Sequence, residues 1–292
     1  MSDIFDTIAL GDCLDLLRAL PANSVDAVLT DPPYGLGKRQ PSGLELQRYF
    51  SGERLDTGGD FRGLHWEIPP VGVWRECFRV LRPGGHLAAF AGTRTWDIMA
   101  GGLRAANFVP SPRLVEQFGS SVLQWINGQG FPKSVNVSRA LEKRAVRDPQ
   151  NADRLLGLAS RFRGYGTALK PSWEPILVFV KPGGAPADLE LNAPFLYSAK
   201  ASRNERTVGG RIENSHPCVK PVRVMRWLVR SLAPLGGIVL DPYVGSGTTL
   251  EACLREGRHY VGMEREPSYR NIAVARALMV QRNVAAAANA AR

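Results

Sequence analysis

Leu240-Asp241-Pro242-Tyr243-Val244-Gly245-Ser246-Gly247-Thr248-Thr249 sets the architecture of this chain. Residues 238–240 form a short apolar run that reads as a buried strand, and residues 248–256 have helical spacing. Glycines between them let the backbone pass close to a ligand, and the first helical turn offers unpaired N–H groups. No lysine follows the glycines, which excludes the phosphate-binding loop of nucleotide hydrolases. A second strand over 259–263 runs into Glu264, where a carboxylate can accept hydrogen bonds from ribose hydroxyls. A ribose site without a strong phosphate site points to an adenosine-like cofactor.

The same alternation extends to both sides. Upstream lie a helix over 222–232 and a turn at 234–237; downstream lies a helix over 269–280. The Ala-rich octet at 285–292 has no apolar face and is expected to fray. The first 105 residues read as strand 7–10, helix 14–20, strand 25–30, helix 71–81, a turn at 83–85, strand 86–91 and helix 94–105. This pattern predicts a parallel α/β sheet. Residues 36–70 read as a long irregular loop that closes over a ligand. Two further strands, 121–126 and 174–180, flank a basic helical insert, and 182–215 reads as loop.

Asp31-Pro32-Pro33-Tyr34 follows the strand at 25–30. Two prolines fix φ and lack donors, so the carbonyls beside them are held rigidly. A carboxylate, an oriented carbonyl and an aromatic ring then share the carboxyl end of a strand, where open α/β sheets bind ligands. This set suits a planar base with an exocyclic amino group: Asp31 and the Pro32 carbonyl accept its N–H bonds, and Tyr34 stacks on its ring.

Composition narrows the partner. Over 292 residues, 37 Lys and Arg against 27 Asp and Glu leave a net charge of +10, which favours a polyanion such as nucleic acid. Residues 128–172 hold nine Lys and Arg against three acids. Four more cations, Lys220, Arg223, Arg226 and Arg230, lie on or just before the 222–232 helix. Apolar residues at 44% exclude a disordered chain. No apolar run reaches the roughly 18 residues of a membrane span. The start, MSDIFDTIALGD, lacks a basic-then-apolar leader, so a cytoplasmic, nucleoid-associated protein is expected. Cys13, Cys77, Cys218 and Cys253 are too scattered for a zinc knuckle or a disulfide framework, so no metal is expected.

With these motifs in view, the chain resembles the DNA amino-methyltransferases, which methylate adenine N6 or cytosine N4. The resemblance rests on TDPPYG at 30–35, LRPGGHLAAFAG at 81–92, GFPKS at 130–134, ALKPSWEPILVFVKP at 168–182, HPCVKP at 216–221 and LDPYVGSGTT at 240–249. The catalytic motif precedes the cofactor motif, as in the circularly permuted β group of that family. The resemblance implies a permuted Rossmann-like fold dependent on S-adenosylmethionine, with a target-recognition insertion. Residues 1–127 would be the catalytic half, 128–215 the target-recognition region, 216–282 the cofactor half and 283–292 a tail. Asp31, Pro32, Pro33 and Tyr34 would be catalytic. Asp241, Tyr243, Gly245, Gly247, Thr248 and Thr249 would surround the methionine part of the cofactor, with Asp31 beside it. Glu264 would hold the ribose and Asp12 would meet the adenine, while His216 and Lys220 would close over the methionine end. Tyr243 replaces the family's usual Phe, and Cys218 its common Thr. Pro217-Cys218 resembles the nucleophile of cytosine-C5 enzymes but lacks their Glu-Asn-Val partner and their motif order, so Cys218 is expected to be a packed small residue.

Double-stranded DNA is the implied substrate. Lys133, Arg139, Lys143, Arg144, Arg161 and Arg163 of the insert, Arg203, Arg206 and Arg211 of the later loop, and Lys38 and Arg39 are its candidate contacts. Asp at the head of the tetrapeptide favours adenine over cytosine by the family's habit. A catalytically inactive DNA-binding homologue is the competing class, which the intact motifs oppose. A homodimer and a cognate restriction endonuclease are candidate partners by the same resemblance.

Overall fold

A computed structural model describes residues 5–35, 37, 39–58, 67–127, 135–167, 173–184 and 193–290. The chain divides into two units, residues 1–127 with 174–292, and residues 128–173. The elements begin with β1 (Thr7–Leu10), α1 (Cys13–Arg18), β2 (Val25–Thr30), α2 (Gly43–Ser51), α3 (Val71–Val80), β3 (Leu81–Phe90) and α4 (Trp96–Ala105). Next come β4 (Val109–Pro110), α5 (Pro112–Phe118), β5 (Val122–Ile126), β6 (Val135–Asn136), α6 (Val137–Arg147), α7 (Ala152–Arg161) and β7 (Gly166–Thr167). The chain continues through β8 (Trp173–Val180), β9 (Phe195–Tyr197), α8 (Arg203–Arg206), α9 (Val222–Leu232), β10 (Ile238–Asp241), α10 (Thr248–Arg255), β11 (His259–Glu264) and α11 (Pro267–Ala290).

In the first unit the strands run in the order β1-β11-β10-β2-β3-β8-β5-β9, with β4 also paired to β8. From β1 to β3 every pair is parallel. Beyond β3 the parallel order ends, because β8 is antiparallel to β3 and β4. A strand buried on both faces shows the same continuous apolar run whichever way it points, so its direction is not written in its pattern. The reversal matters. With Phe90 opposite Ile176, Glu174 arrives at the edge where the parallel strands end.

Alternating side chains feed two cores. Val28, Leu87, Ala89 and Leu177 pack with Trp74, Met99 and Leu103 on one face. Leu29, Ala88, Phe90 and Ile176 pack with Leu228, Val229 and Leu250 on the other.

Several local expectations change. The 36–70 segment contains α2, capped by a reciprocal pair: Glu45 N–H donates to Ser42 Oγ (3.3 Å) and Ser42 N–H to Glu45 Oε2 (2.8 Å). Within its described residues, Tyr49, Leu55 and Ile68 are buried. The 83–85 turn becomes an irregularity inside β3, between the pairs Val25–Leu81 and Ala27–His86. The 182–215 loop carries β9 and α8, and residues 193–215 belong to the first unit. Where fraying was expected, α11 continues to Ala290, because alanine favours helix without needing an apolar face. In the second unit, α6 and α7 pack through Ala145, Leu155 and Ala159, beside the antiparallel pair β6–β7.

His86 is 1% exposed, and its Nδ1 has no hydrogen-bond partner among the described residues. Burial, helped by the Arg113 charge, pushes its pKa down to about 4 from 6.5. A folded value below the unfolded one means that stability is lost as pH falls from 6.5 toward 4, by up to about 3 kcal/mol. His86→Leu is therefore expected to lose less stability than wild type over that window. Urea melts of both proteins at stepped pH check this; parallel curves would contradict it.

Candidate active site

Sheet register builds the site. Val239 lies opposite Ala27, so β2 and β10 end side by side, and Thr30 Oγ1 donates to Asp241 Oδ1 at 2.8 Å. The Tyr243 N–H also donates to Oδ1 (3.0 Å), and Thr249 Oγ1 donates to Oδ2 (2.5 Å). Asp241 is 2% exposed and joins β2, the glycine turn and α10. Burial pushes its pKa up to about 6, against the pull of the Thr249 and Thr30 hydroxyls.

The two glycines of the turn answer to different neighbours. A Cβ on Gly245 (φ +55°) would stand 2.9 Å from His216 Nε2, whereas one on Gly247 (φ +83°) would stand 2.9 Å from the Cα of Ala273 in α11. Gly247 is thus a packing glycine, and Gly245 opens toward His216. The His216 ring meets Tyr269 edge-on at 4.5 Å, and its buried Nδ1 has no hydrogen-bond partner among the described residues. Burial pushes the imidazole down to about 4, so it is neutral at pH 7. Glu264 accepts from the Gly245 N–H (2.9 Å) and the Glu266 N–H (2.8 Å). Leu10 pairs with Glu264 across β1 and β11, which brings Asp12 to the same edge, where it caps α1 by accepting from the Leu14 N–H at 2.9 Å. Tyr243 is hydrogen-bonded to Cys13, and burial raises its phenol well above the ordinary value. Thr248 and Thr249 are buried at the start of α10.

Beside this turn lies a four-residue polar cluster. Lys220 Nζ donates to Asp31 Oδ2 at 2.6 Å and to the Tyr34 hydroxyl at 3.0 Å, and it lies 3.2 Å from Glu174 Oε2. The Tyr34 hydroxyl reaches Asp31 Oδ1 at 2.7 Å and Glu174 Oε2 at 2.9 Å. The ammonium also sits 4.9 Å from the Phe90 ring centroid and 5.9 Å from that of Trp125. Burial pushes the Asp31 carboxyl up; Lys220 opposes the shift and Glu174 reinforces it. Burial also works against the Glu174 charge, but Lys220 and the Tyr34 hydroxyl outweigh it and hold that carboxyl below its ordinary value. Thr95 Oγ1 donates to the Tyr34 carbonyl (2.6 Å) and fixes the loop from below.

A family model for N6 and N4 methyltransferases, described as DNA methylase, matches residues 25–275. The chain belongs to the DNA methylase family. This methylase is 28% identical to type II methyltransferase M.ScaI of Streptomyces caespitosus over 91% of this chain and 79% of that one. Its fold is similar to that of PvuII DNA methyltransferase (cytosine-N4-specific), with a TM-score of 0.60 and 16% identity over 95% of this chain and 92% of that one. It is also similar to M1.HpyAVI, solved as a SAM complex, with a TM-score of 0.55 and 21% identity over 92% and 98% of the two chains. The family assignment makes the protein a DNA amino-methyltransferase with a mixed α/β methyltransferase fold.

The other cations and cysteines of the methylase lie in varied surroundings. Lys220 is no surface cation: it is 8% exposed and faces two carboxylates. Arg226 and Arg230 on α9 both pair with Glu256. Arg39 forks onto Glu45 (2.7 and 2.9 Å), which leaves little of it for a phosphate. Arg206 is half-buried and donates to the His216 carbonyl (2.6 Å), while Arg211 donates to Asn283 (3.0 Å) beside an arginine-lined groove of 690 Å³. Arg203 is exposed on α8. In the second unit Arg139, Lys143, Arg144, Arg161 and Arg163 are exposed, with no ion pair among the described residues. Lys38 and Lys133 lie outside the described residues. Cys218, expected to be packed, is exposed, because Val219 and Lys220 take the inward positions of that segment. Among the described residues no helix is long and apolar enough to cross a membrane, and no group of His, Cys, Asp and Glu could hold a metal ion.

Glu174 and Arg276 are two further charged residues of the site region, half-buried and buried respectively, whose role no motif in the sequence marks. The WEP of residues 173–175 was the available signal for Glu174, once β8 is read as entering the sheet at the ligand edge.

Proposed function

We propose that this DNA methylase moves a methyl group from S-adenosylmethionine to the exocyclic amino group of a base flipped out of duplex DNA, with adenine N6 as the target. One observation carries the reading. The Thr30–Asp241 hydrogen bond sets the Asp31–Tyr34 loop against the glycine turn, so an amine acceptor and a cofactor cradle share one strand edge. The cradle fits the cofactor: the missing Cβ of Gly245 lets the neutral His216 ring close against the turn, and Asp12 and Glu264 stand at the adjoining edge. Asp241 and Thr249 brace the turn, with Tyr243 and Thr248 packed behind it. When bound, S-adenosylmethionine supplies the electrophilic methyl.

The chain's own residues do the rest. Asp31 and the Pro32 carbonyl accept N–H bonds from the target amine and hold its lone pair in line. Tyr34 offers its ring to the extruded base and Pro33 stiffens the loop. Alignment of this kind is worth on the order of 7–11 kcal/mol of barrier. The choice of adenine rests on the family resemblance alone, in which Asp at the head of the tetrapeptide is commoner in adenine enzymes.

Residues 128–215 are proposed as the target-recognition region, with the exposed cations of α6 and α7 on phosphates. Lys143→Ala with Arg144→Ala is expected to weaken DNA binding and to lower the slope of log affinity against log salt by about one per lost contact. Fluorescence titration at stepped salt reads this, and an unchanged slope would contradict it. A homodimer, read by sedimentation of the full chain, and a restriction enzyme of the same sequence specificity are proposed partners by family likeness.

The test of the reading is nucleoside analysis of plasmid DNA methylated in vitro. N6-methyldeoxyadenosine is expected. N4-methyldeoxycytidine would overturn the base assignment, and no methylated nucleoside would overturn the activity.

A further inference from the structure

We propose that Glu174 is the positioning carboxylate of this centre, the group that takes over the Tyr34 hydroxyl and the Lys220 ammonium when Asp31 turns to the target amine. The proposal rests on the reading of Asp31 as the amine acceptor.

Donor and acceptor counts carry it. The Lys220 ammonium has three N–H bonds and three acceptors in reach, at 2.6 Å (Asp31), 3.0 Å (Tyr34) and 3.2 Å (Glu174). Tyr34 has one hydroxyl proton and two carboxylates in reach, at 2.7 Å (Asp31) and 2.9 Å (Glu174). Before substrate arrives, both Asp31 oxygens are therefore engaged, one by Tyr34 and the other by Lys220. An incoming amine needs one of them. Rotation of the Tyr34 O–H toward Glu174 vacates Oδ1 without moving a heavy atom. Without Glu174, the hydroxyl would lose its second carboxylate and the ammonium its third acceptor in a nearly closed site, a costly state for buried polar groups.

Charge supports the same role. Asp31 and Glu174 face one ammonium, Lys220, with the Tyr34 hydroxyl between them. Asp241 is close enough to feel the Asp31 charge, Lys200 acts on Glu174, and Cys218 acts on Lys220. Two carboxylates against one contacting cation leave one negative charge over, and Glu174 raises the proton affinity of Asp31. As the amine nitrogen bonds the methyl carbon, the C–S electron pair stays on sulfur and the amine N–H proton passes to Asp31. Glu174 and Lys220 then remain as a matched ion pair beside a neutral acid.

The experiment compares wild type, Glu174→Gln, Glu174→Asp and Asp31→Ala, measuring single-turnover methylation against pH and the binding of cofactor and duplex. Glu174→Gln is expected to lower the rate by about tenfold or more, with both affinities unchanged. It is also expected to move the acid limb of the profile to lower pH, because Asp31 loses the charge that raises its proton affinity. Glu174→Asp keeps the charge, so its limb should stay at the wild-type pH even if its rate falls. A Glu174→Gln protein with wild-type rate, or with a lowered rate and an unmoved limb, overturns the proposal. So does a displaced limb in Glu174→Asp, the variant that decides if the Gln protein does not fold. If Asp31→Ala methylates normally, the underlying site reading has failed instead.

Discussion

Asp31→Ala is expected to lower methyl transfer by about 10²–10⁴-fold, the range for losing a positioned acid–base group, while cofactor binding stays intact. The split follows from geometry. Asp31 belongs to the polar cluster with Tyr34, Lys220 and Glu174, whereas the glycine turn is held by Asp241 through Thr30, Thr249 and the Tyr243 amide. Removing Asp31 leaves every bond of the turn in place. The fold should survive as well, because Lys220 keeps Glu174 at 3.2 Å as its counter-ion. Calorimetric cofactor titration with single-turnover assays separates the two effects. Transfer at the wild-type rate would remove Asp31 from the chemistry. Lost cofactor affinity would mean that the two loops are not separable.

Arg276→Met should cost about 3–5 kcal/mol of stability, the range for stripping one partner from a buried ion pair. Arg276 is fully buried and donates to Glu251 Oε2 (2.6 Å), to the Ser246 carbonyl (2.8 Å), and to the carbonyls of Arg206 (2.7 Å) and Glu205 (3.3 Å). It is a strut from α11 to the cofactor turn, to α10 and to the segment leading to His216. Glu251 keeps Arg255 at 2.8 Å on its more open side, which puts the expected loss near the lower end of the range. Cofactor affinity should fall with stability, since the Ser246 peptide sits between Gly245 and Gly247. Adding Glu251→Gln to the variant should recover part of the loss by removing the under-compensated charge. Urea denaturation checks both, and a loss under about 1 kcal/mol would contradict the strut.

What was legible in the sequence were the features with local physical causes. The continuous apolar runs of β2, β10 and β11, the glycine turn and the Pro-Pro loop each specify their own backbone, so both halves of the site stood out. What was not legible depended on pairing. Nothing within residues 173–180 says that β8 runs against β3, yet that reversal alone brings Glu174 to the ligand edge. Lys220 and Arg276 look like ordinary cations of helical segments, and only the fold shows them buried against carboxylates. The Ser42–Glu45 capping box of α2 is a local signal too, but it stands in a polar, Gly-rich stretch whose composition points to loop.

In this methylase one strand edge is proposed to join a cofactor cradle to an acceptor for an exocyclic amine. The experiment supplies S-adenosylmethionine with a trideuterated methyl group and locates the label in duplex DNA by nucleoside fragmentation mass spectrometry. Label is expected on an exocyclic base nitrogen, with its initial rate of appearance about 10²–10⁴-fold lower for Asp31→Ala. Label on a ring carbon, or undiminished labelling by the variant, would contradict it.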